Sequence, residues 1–408
     1  MAYSATTRIE SLAAGGAGVA RVDGLVVFVP RTAPGDLAEI TFVKRQRLGQ
    51  GRLVRVVESS ELRVPPRCGH YLPDACGGCQ LQHVEYAAQL TAKQQIIRDA
   101  FSRIARRPVE VPAVTPSPAS WEYRNKLTLA MRREDDGWVM GLHRWDDVDR
   151  IFQLEECPIT DPGVLAGWRD IMAAADVLPE AEALRGSVRL LGNTMAFAVE
   201  GGSAWLGMRE FVRRCPSLGV IRWTDAAGAL HVVVDHAEGE RPAASFEQVN
   251  PRVAEALHAS VVLHVMAFAP ATVVDGYSGA GEVALALAAR RVRVTAIELD
   301  REAATHAARA LAPPSIAVCG RVEELLPRAL PADVVILNPP RTGVDAAVCA
   351  TLERSPPLAI VYVSCNPATL ARDVTRLPAF RVESVLPFDM FPQTTHVETV
   401  CVLVPQES

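Results

Sequence analysis

The chain has 408 residues, 49% of them hydrophobic, with a net charge of −5 and a mean hydropathy of +0.12. That length exceeds one ordinary core and leads us to expect two or three domains, and the absence of an uninterrupted apolar run of about eighteen residues excludes a helical membrane protein. The opening MAYSATTRIE has neither a basic stretch nor an apolar one of the kind a secretory signal carries, so a reducing, cytoplasmic setting is expected, in which the nine cysteines act as metal ligands, catalysts or buried thiols.

The charge is unevenly spread. Lys44 to Arg133 holds 16 Lys and Arg against 7 Asp and Glu, a balance of +9, which leaves −14 for the rest. A polyanion would be drawn to the first third of the chain, although a solvated basic face has the same composition.

Residues 8 to about 57 alternate in short bursts, with turn signals at Gly15-Gly16, Asp23-Gly24 and Gly35-Asp36. This spacing predicts a small antiparallel barrel of five strands. The cluster Lys44, Arg45, Arg47, Arg52 and Arg55 falls on its last strands, where it suits an oligonucleotide. Three cysteines follow within twelve residues, Cys68, Cys76 and Cys79, the last two around Gly77-Gly78. Thiolates so spaced can converge on one metal centre, with Cys157 as the nearest further ligand. Zinc and a four-iron cluster are both compatible with that spacing.

Leu81 to about Arg106 reads as a helix from the three- and four-residue spacing of its apolar positions. The proline-rich VEVPAVTPSPASW after it predicts a domain boundary. Residues 121 to about 235 read as an α+β segment, with strand-like alternation and one helix near Val164 to Ala175. Its start, Trp121, Tyr123, Arg124 and Lys126, has the composition to stack on and neutralise RNA, although exposed strands commonly carry the same residue types.

From about Ser245 strands and helices alternate. Val273 to Asp275 is a strand that breaks into Gly276-Tyr277-Ser278-Gly279-Ala280-Gly281, and an apolar helix runs from Glu282 to Ala289. The following strand ends at Glu298, 17 residues after Gly281, placed to accept from two ribose hydroxyls. Without a third phosphate-cradling glycine, the turn suits adenosylmethionine better than a dinucleotide. The next strand runs into Asn338-Pro339-Pro340-Arg341. The one after it, Ile360 to Ser364, delivers Cys365 to a turn at a strand's carboxyl end, where ligands of open α/β sheets bind; a buried thiol without a role fits the same residues.

These motifs resemble the RNA uracil-5-methyltransferase family over nearly the whole chain, through the N-terminal barrel, the cysteine cluster, SFEQVN (245–250), DGYSGAG, NPPRTG, YVSCNPATLARD and DMFPQTTHVE (389–398). The resemblance implies an α/β class I methyltransferase, with a Rossmann-like doubly wound sheet in residues 241–408. It further implies an OB-like TRAM β-barrel in 1–57 and a central α+β domain in 58–240 carrying a 4Fe-4S iron-sulfur cluster on Cys68, Cys76, Cys79 and Cys157. It makes Cys365 the nucleophile and Glu398 the base, and assigns S-adenosyl-L-methionine to Gln248, Tyr277, Glu282, Glu298 and Asn338. The implied substrate is a uridine of 23S rRNA, with tRNA as the alternative, and neither a membrane nor a protein partner is implied. Three positions depart from the family pattern. Seven residues separate Cys68 from Cys76 where five are usual, Ser278 replaces a frequent cysteine, and Asn338 replaces a frequent aspartate and cannot act as a base. Two other classes fit parts of the sequence: a methyltransferase that uses no nucleophile, and a non-catalytic RNA-binding protein on the same fold.

Overall fold

The computed structural model describes residues 2–236 and 248–406. Ser245, Phe246 and Glu247 of the SFEQVN motif, and the boundary expected at 240/241, lie outside the described residues. Contacts divide the chain into two units. The first comprises Met1–Gln89, Ala119–Ala243 and Pro392–Thr395, the second Leu90–Pro118, Ala244–Phe391 and His396–Ser408.

The first unit begins with β1 (Ala2–Leu12), β2 (Gly18–Val22), β3 (Leu25–Val29), β4 (Leu37–Arg45) and β5 (Leu48–Glu58), closed as a barrel in the order β1-β2-β3-β5-β4. Alternation decides which side chains turn inward: Ala38, Ile40 and Phe42 of β4 meet Ile9, Ala20, Val27 and Val29 in the barrel core. Asp23 and Gly24, with φ of 49° and 78°, form the two-residue turn between β2 and β3. Both need the left-handed region, which glycine enters without cost and aspartate tolerates. The five strands expected from the turn spacing are all present, but the barrel is not wholly antiparallel: β3 and β5, separated in sequence by β4, pair in parallel.

Helix α1 spans Tyr86–Ala100, and a single π turn, Phe101–Ala105, ends at Arg106 with φ 53°. The helix is therefore shorter than the sequence spacing predicts. Its start is delayed because Leu81 to Val84 closes a turn, with Val84 N donating to Leu81 O. From Leu90 the helix and the π turn belong to the second unit; the first unit resumes with a sheet made of β6 (Lys126–Glu134), β7 (Gly137–His143), β8 (Ile151–Gln153), β9 (Ala183–Leu191), β10 (Thr194–Glu200), β11 (Leu218–Thr224) and β12 (Leu230–Asp235), in the order β12-β11-β10-β9-β6-β7-β8. Helix α2 (Pro162–Ala173) is started by Asp161, whose carboxylate accepts from Gly163 N and Val164 N, with Pro162 at its first position. Val164, Trp168 and Ile171 of α2, and Phe211 of α3 (Met208–Arg214), bury one face of this sheet with Leu127, Leu129 and Met131.

The second unit alternates helix and strand: α4 (Pro251–Met266), β13 (Thr272–Gly276), α5 (Glu282–Ala288), β14 (Arg293–Glu298), α6 (Arg301–Ala310), β15 (Ile316–Cys319), α7 (Val322–Ala329), β16 (Val334–Leu337), α8 (Ala346–Arg354), β17 (Ala359–Ser364), α9 (Pro367–Thr375), β18 (Phe380–Phe388) and β19 (Glu398–Pro405). The sheet order is β15-β14-β13-β16-β17-β19-β18. The first five strands are parallel, and β19 inserts antiparallel between β17 and β18. Central strands covered on both faces have no polar side, and β16 and β17 are accordingly buried at every position.

The proline-rich stretch expected to be a linker is a packed element of this second unit. Val111 and Val114 lie in the same hydrophobic core as Tyr362 and Leu403, and Thr115 N donates to Pro387 O at 2.9 Å. Prolines end regular pairing, yet the valines between them still carry enough apolar surface to dock. Among the described residues no helix is long and apolar enough to cross a membrane.

Candidate functional site

The switch from β13 outward in both directions puts the carboxyl ends of β13, β14, β16 and β17 at one edge of the sheet. The loop after Gly276, the terminal Glu298 of β14, Asn338 after β16 and Cys365 after β17 all meet that edge. Because β19 runs the other way, its first residue is there too: Ser364 pairs with Thr399, so Cys365 and Glu398 are the next residues out on adjacent strands.

Cys365 is half-buried on a turn fixed from both sides. Ser364 Oγ accepts from Asn366 N and donates to Asn366 O, both at 3.1 Å. Asn366 then caps α9 by accepting from Ala368 N and Thr369 N, and Pro367 occupies the helix's first position. Burial raises the thiol's pKa above its ordinary value and the nearby Glu398 charge adds to the rise, while the Arg341 guanidinium opposes both through its charge and a hydrogen bond to the sulfur. Glu398 is 4% exposed. Desolvation pushes its carboxyl up to about 7, against the pull of Arg341 and a hydrogen bond from the Gln248 side chain. Arg341, an exposed residue of the turn after β16, is thus the cation shared by thiol and carboxyl. The structure brings Gln248, expected as a cofactor contact, to Glu398.

The glycine turn has a different electrostatic character. Tyr277, Gly279 and Gly281 have φ of 62°, 57° and 89°, and a Cβ at Gly281 would lie 2.9 Å from that of Ala307, so the backbone there passes close under α6. Glu298 holds the turn by accepting from Gly279 N and Asp300 N, each at 2.8 Å. Glu282 opens α5. Asp275, at 3% exposure, is pushed up to about 7 by burial, reinforced by the charges of Glu282 and Glu298 and opposed by the Ala284 amide. Its Oδ2 and the Ser278 hydroxyl have no hydrogen-bond partner. Three carboxyl groups around a helix N-terminus repel a pyrophosphate, which that end of a dinucleotide-binding helix would attract. They suit a ligand bearing a sulfonium and an ammonium. Asn338 sits at the same edge, half-buried, its backbone N–H donating to Gly276 O at 3.2 Å.

Asp275 and Arg341 escaped the sequence reading as site residues. Both stood in motifs already singled out, and each carried a signal: an acid closing an otherwise apolar strand, and a cation on a proline-fixed turn beside the strand that ends at Cys365.

In the first unit, Cys68, Cys76, Cys79 and Cys157 line a single cavity of about 80 Å³, shared with Gly78, Gln82 and others. Burial raises the pKa of Cys68 to about 12 and pushes Cys76 and Cys79 up likewise, and neighbouring thiols of the same set add to each rise. Arg31 of the barrel donates to Cys76 O at 2.8 Å and Cys79 O at 3.0 Å, with its guanidinium 3.6 Å above the Tyr71 ring. Among the described residues, no group of three or more His, Cys, Asp or Glu side chains has the geometry to hold a metal ion. The four thiols therefore share a cavity without converging on a single-ion site.

Residues 320–406 match the model of the tRNA (Uracil-5-)-methyltransferase family. Over 97% of this chain and 95% of the relative, the sequence is 31% identical to an uncharacterized RNA methyltransferase of Halalkalibacterium halodurans. It is 34% identical to another from Gloeobacter violaceus over 98% of this chain and 96% of the relative. Among solved structures, Pyrococcus abyssi tRNA (uracil-54, C5)-methyltransferase in complex with S-adenosyl-L-homocysteine is similar at a TM-score of 0.69 and 25% identity, covering 98% of this chain and all of that one.

Proposed function

The chain belongs to the RNA uracil-5-methyltransferase family, S-adenosylmethionine-dependent enzymes with a methyltransferase fold, and on that premise we propose that it methylates C5 of a uridine in RNA through a covalent adduct on Cys365. The observation that carries this reading is the pairing of a half-buried thiol with a buried carboxyl on adjacent strand ends, one arginine serving both. C5 of uracil is too weak a nucleophile to take a methyl group from a sulfonium unaided. Addition of the Cys365 thiolate to C6 moves the ring's π electrons to O4 as an enolate, and C5 then attacks the methyl group. Glu398 takes the C5 proton, the C5–C6 double bond re-forms, and the thiolate leaves. A carboxyl with a midpoint near neutrality suits that last step, since a base works best when its pKa lies near the working pH. Arg341 favours the thiolate at the start and the carboxylate at the end.

Asp275, Glu282 and Glu298 form the acidic surround for the cationic methyl donor, with Tyr277 and Asn338 on the same edge. Uracil held in a stem or a stacked loop cannot reach this edge, so the target base is flipped out. The TRAM-like barrel of residues 1–57 supplies phosphate contacts through its exposed basic hairpin. Cys68, Cys76, Cys79 and Cys157 are the donor set for an iron-sulfur cluster. Three buried thiols and the half-buried Cys157, in a cavity where burial and neighbouring thiols disfavour ionisation of Cys68, Cys76 and Cys79, call for positive charge there, and a polynuclear centre spreads its ligands further apart than one ion does. Bound there, it would tie four chain positions together in a structural and RNA-orienting role. We assign the substrate as a uridine of 23S rRNA in the cytoplasm; the full-length likeness to a tRNA (uracil-54, C5)-methyltransferase favours tRNA as the second reading. Mass mapping of 5-methyluridine in ribosomal and transfer RNA, with and without the gene, separates the two. Unchanged maps in both would overturn the assignment.

A further inference from the structure

Arg341 is exposed and sits on a turn, yet it has to hold a fixed relation to both Cys365 and Glu398. An exposed arginine on a free loop would lose that relation to side-chain and backbone entropy. Its backbone is not free. Thr369 Oγ1 donates to Arg341 O at 3.1 Å, and Arg372 Nη2 donates to Thr342 O at 2.7 Å. Val344 N donates to Asp373 Oδ2 at 3.0 Å. Three side chains of α9 thus hold three peptide groups of the arginine's turn, which Gly343 N to Pro340 O closes at 2.8 Å. The turn lies flush on the helix: Gly343 has φ +79°, and a Cβ there would overlap Asp373 Oδ2, Thr369 Cγ2 and Arg372 Nη2.

Asp373 is fully buried and anchors the arrangement. It also accepts from Tyr362 OH at 2.8 Å and from Arg372 Nε at 3.0 Å and Arg376 Nη1 at 3.1 Å. Tyr362 belongs to β17, the strand that ends at the nucleophile, and α9 is the helix that Asn366 caps directly after Cys365. One helix is therefore fixed to the nucleophile's strand at its base and grips the arginine's turn along its side.

We propose that Thr369, Arg372 and Asp373 are positioning residues that clamp the turn of Arg341 to α9, so that nucleophile and arginine move as one body. The clamp acts without touching substrate, and its effect reaches the reaction only through the place of the Arg341 guanidinium. This rests on the assignment of Cys365 as the reacting thiol, but its test needs neither RNA nor turnover.

The test is the pH dependence of Cys365 alkylation by iodoacetamide, followed on the Cys365 peptide by mass spectrometry in the full-length protein. Thr369→Val removes one clamp donor with little change of shape, Gly343→Ala forces the turn off the helix, and Arg341→Gln removes the charge itself. Arg341→Gln should slow alkylation at neutral pH by up to about tenfold, the effect of one pKa unit on thiolate population. Gly343→Ala should approach that loss, and Thr369→Val should give a smaller loss in the same direction. Combining either with Arg341→Gln should add nothing further, because a displaced turn matters only through the charge it carries. A wild-type alkylation profile in both clamp variants, or losses that add to that of Arg341→Gln, would overturn the proposal; should Gly343→Ala fail to fold, Thr369→Val alone and in the double variant decides. If instead Cys365→Ala methylates RNA normally, the functional reading fails while the clamp result stands.

Discussion

The lifetime of the covalent adduct is the most direct readout of the Glu398 assignment. Adduct formation needs the Cys365 thiolate, but its collapse needs only removal of the C5 proton, so the two steps carry different pH dependences. With a midpoint at about 7, Glu398 is ionised in about one tenth of molecules at a pH near 6 and in about nine tenths at a pH near 8. Collapse should therefore quicken roughly tenfold between those conditions. Replacing Glu398 by Gln keeps the side chain's shape and its neighbours but removes the base. Loss of a positioned general base costs about 10²- to 10⁴-fold, enough for methylated RNA to accumulate on the protein. The assay is a pulse of methyl-labelled donor followed by a chase at each pH, with the adduct counted as a labelled band that survives denaturing electrophoresis. Collapse that ignores pH over this range, or a Glu398→Gln adduct that decays at the wild-type rate, would refute Glu398 as the base and leave the nucleophile untouched.

Cys365→Ala should bind RNA and methyl donor with unchanged affinity yet neither methylate nor cross-link, measured by filter binding and by the same gel. Glu398 should also tax stability as pH rises. Its folded pKa is raised from 4.5 to about 7, so its favourable contribution is complete at pH values below the lower figure and is lost on the way to the upper one. The melting difference between Glu398→Gln and wild type should accordingly grow by about 3 kcal/mol across that window in favour of the variant, and a constant difference would contradict the burial argument. Anaerobically prepared protein should be brown with broad absorbance near about 400 nm, and the colour should go when Cys76 and Cys79 are both replaced by Ser; stoichiometric zinc without iron would sink the cluster. Replacing Lys44, Arg45 and Arg47, all exposed at the β4–β5 hairpin, by Ala should reduce the salt slope of RNA binding by about two to three, and an unchanged slope would take the barrel out of the interface.

Local patterns carried much of this protein into view. The barrel strands, the glycine turn with its acid, and the strand that ends at Cys365 are all set by short-range rules: alternation of side chains, residues that tolerate left-handed backbone, and prolines that stop pairing. Those rules act within a few residues, so they were legible before any folding. The role of Glu398 was not legible in this way. It starts a strand 33 residues after Cys365, and only the family resemblance pointed to it from the sequence.

Tertiary structure decided the rest. The antiparallel insertion of β19 brings Glu398 beside Cys365, and burial there, which depends on the whole sheet, raises its proton affinity. The same holds for Asp275, an ordinary acid in sequence whose neighbours Glu282 and Glu298 arrive from a helix and another strand. The proline-rich stretch reads as a linker because proline content reports hydrogen bonding lost, whereas whether Val111 and Val114 find a core depends on distant residues. Arg341 shows the limit most plainly. Nothing in NPPRTG says that three side chains from a later helix will hold its backbone, because such contacts exist only after strands β16 and β17 have paired and laid the turn against α9.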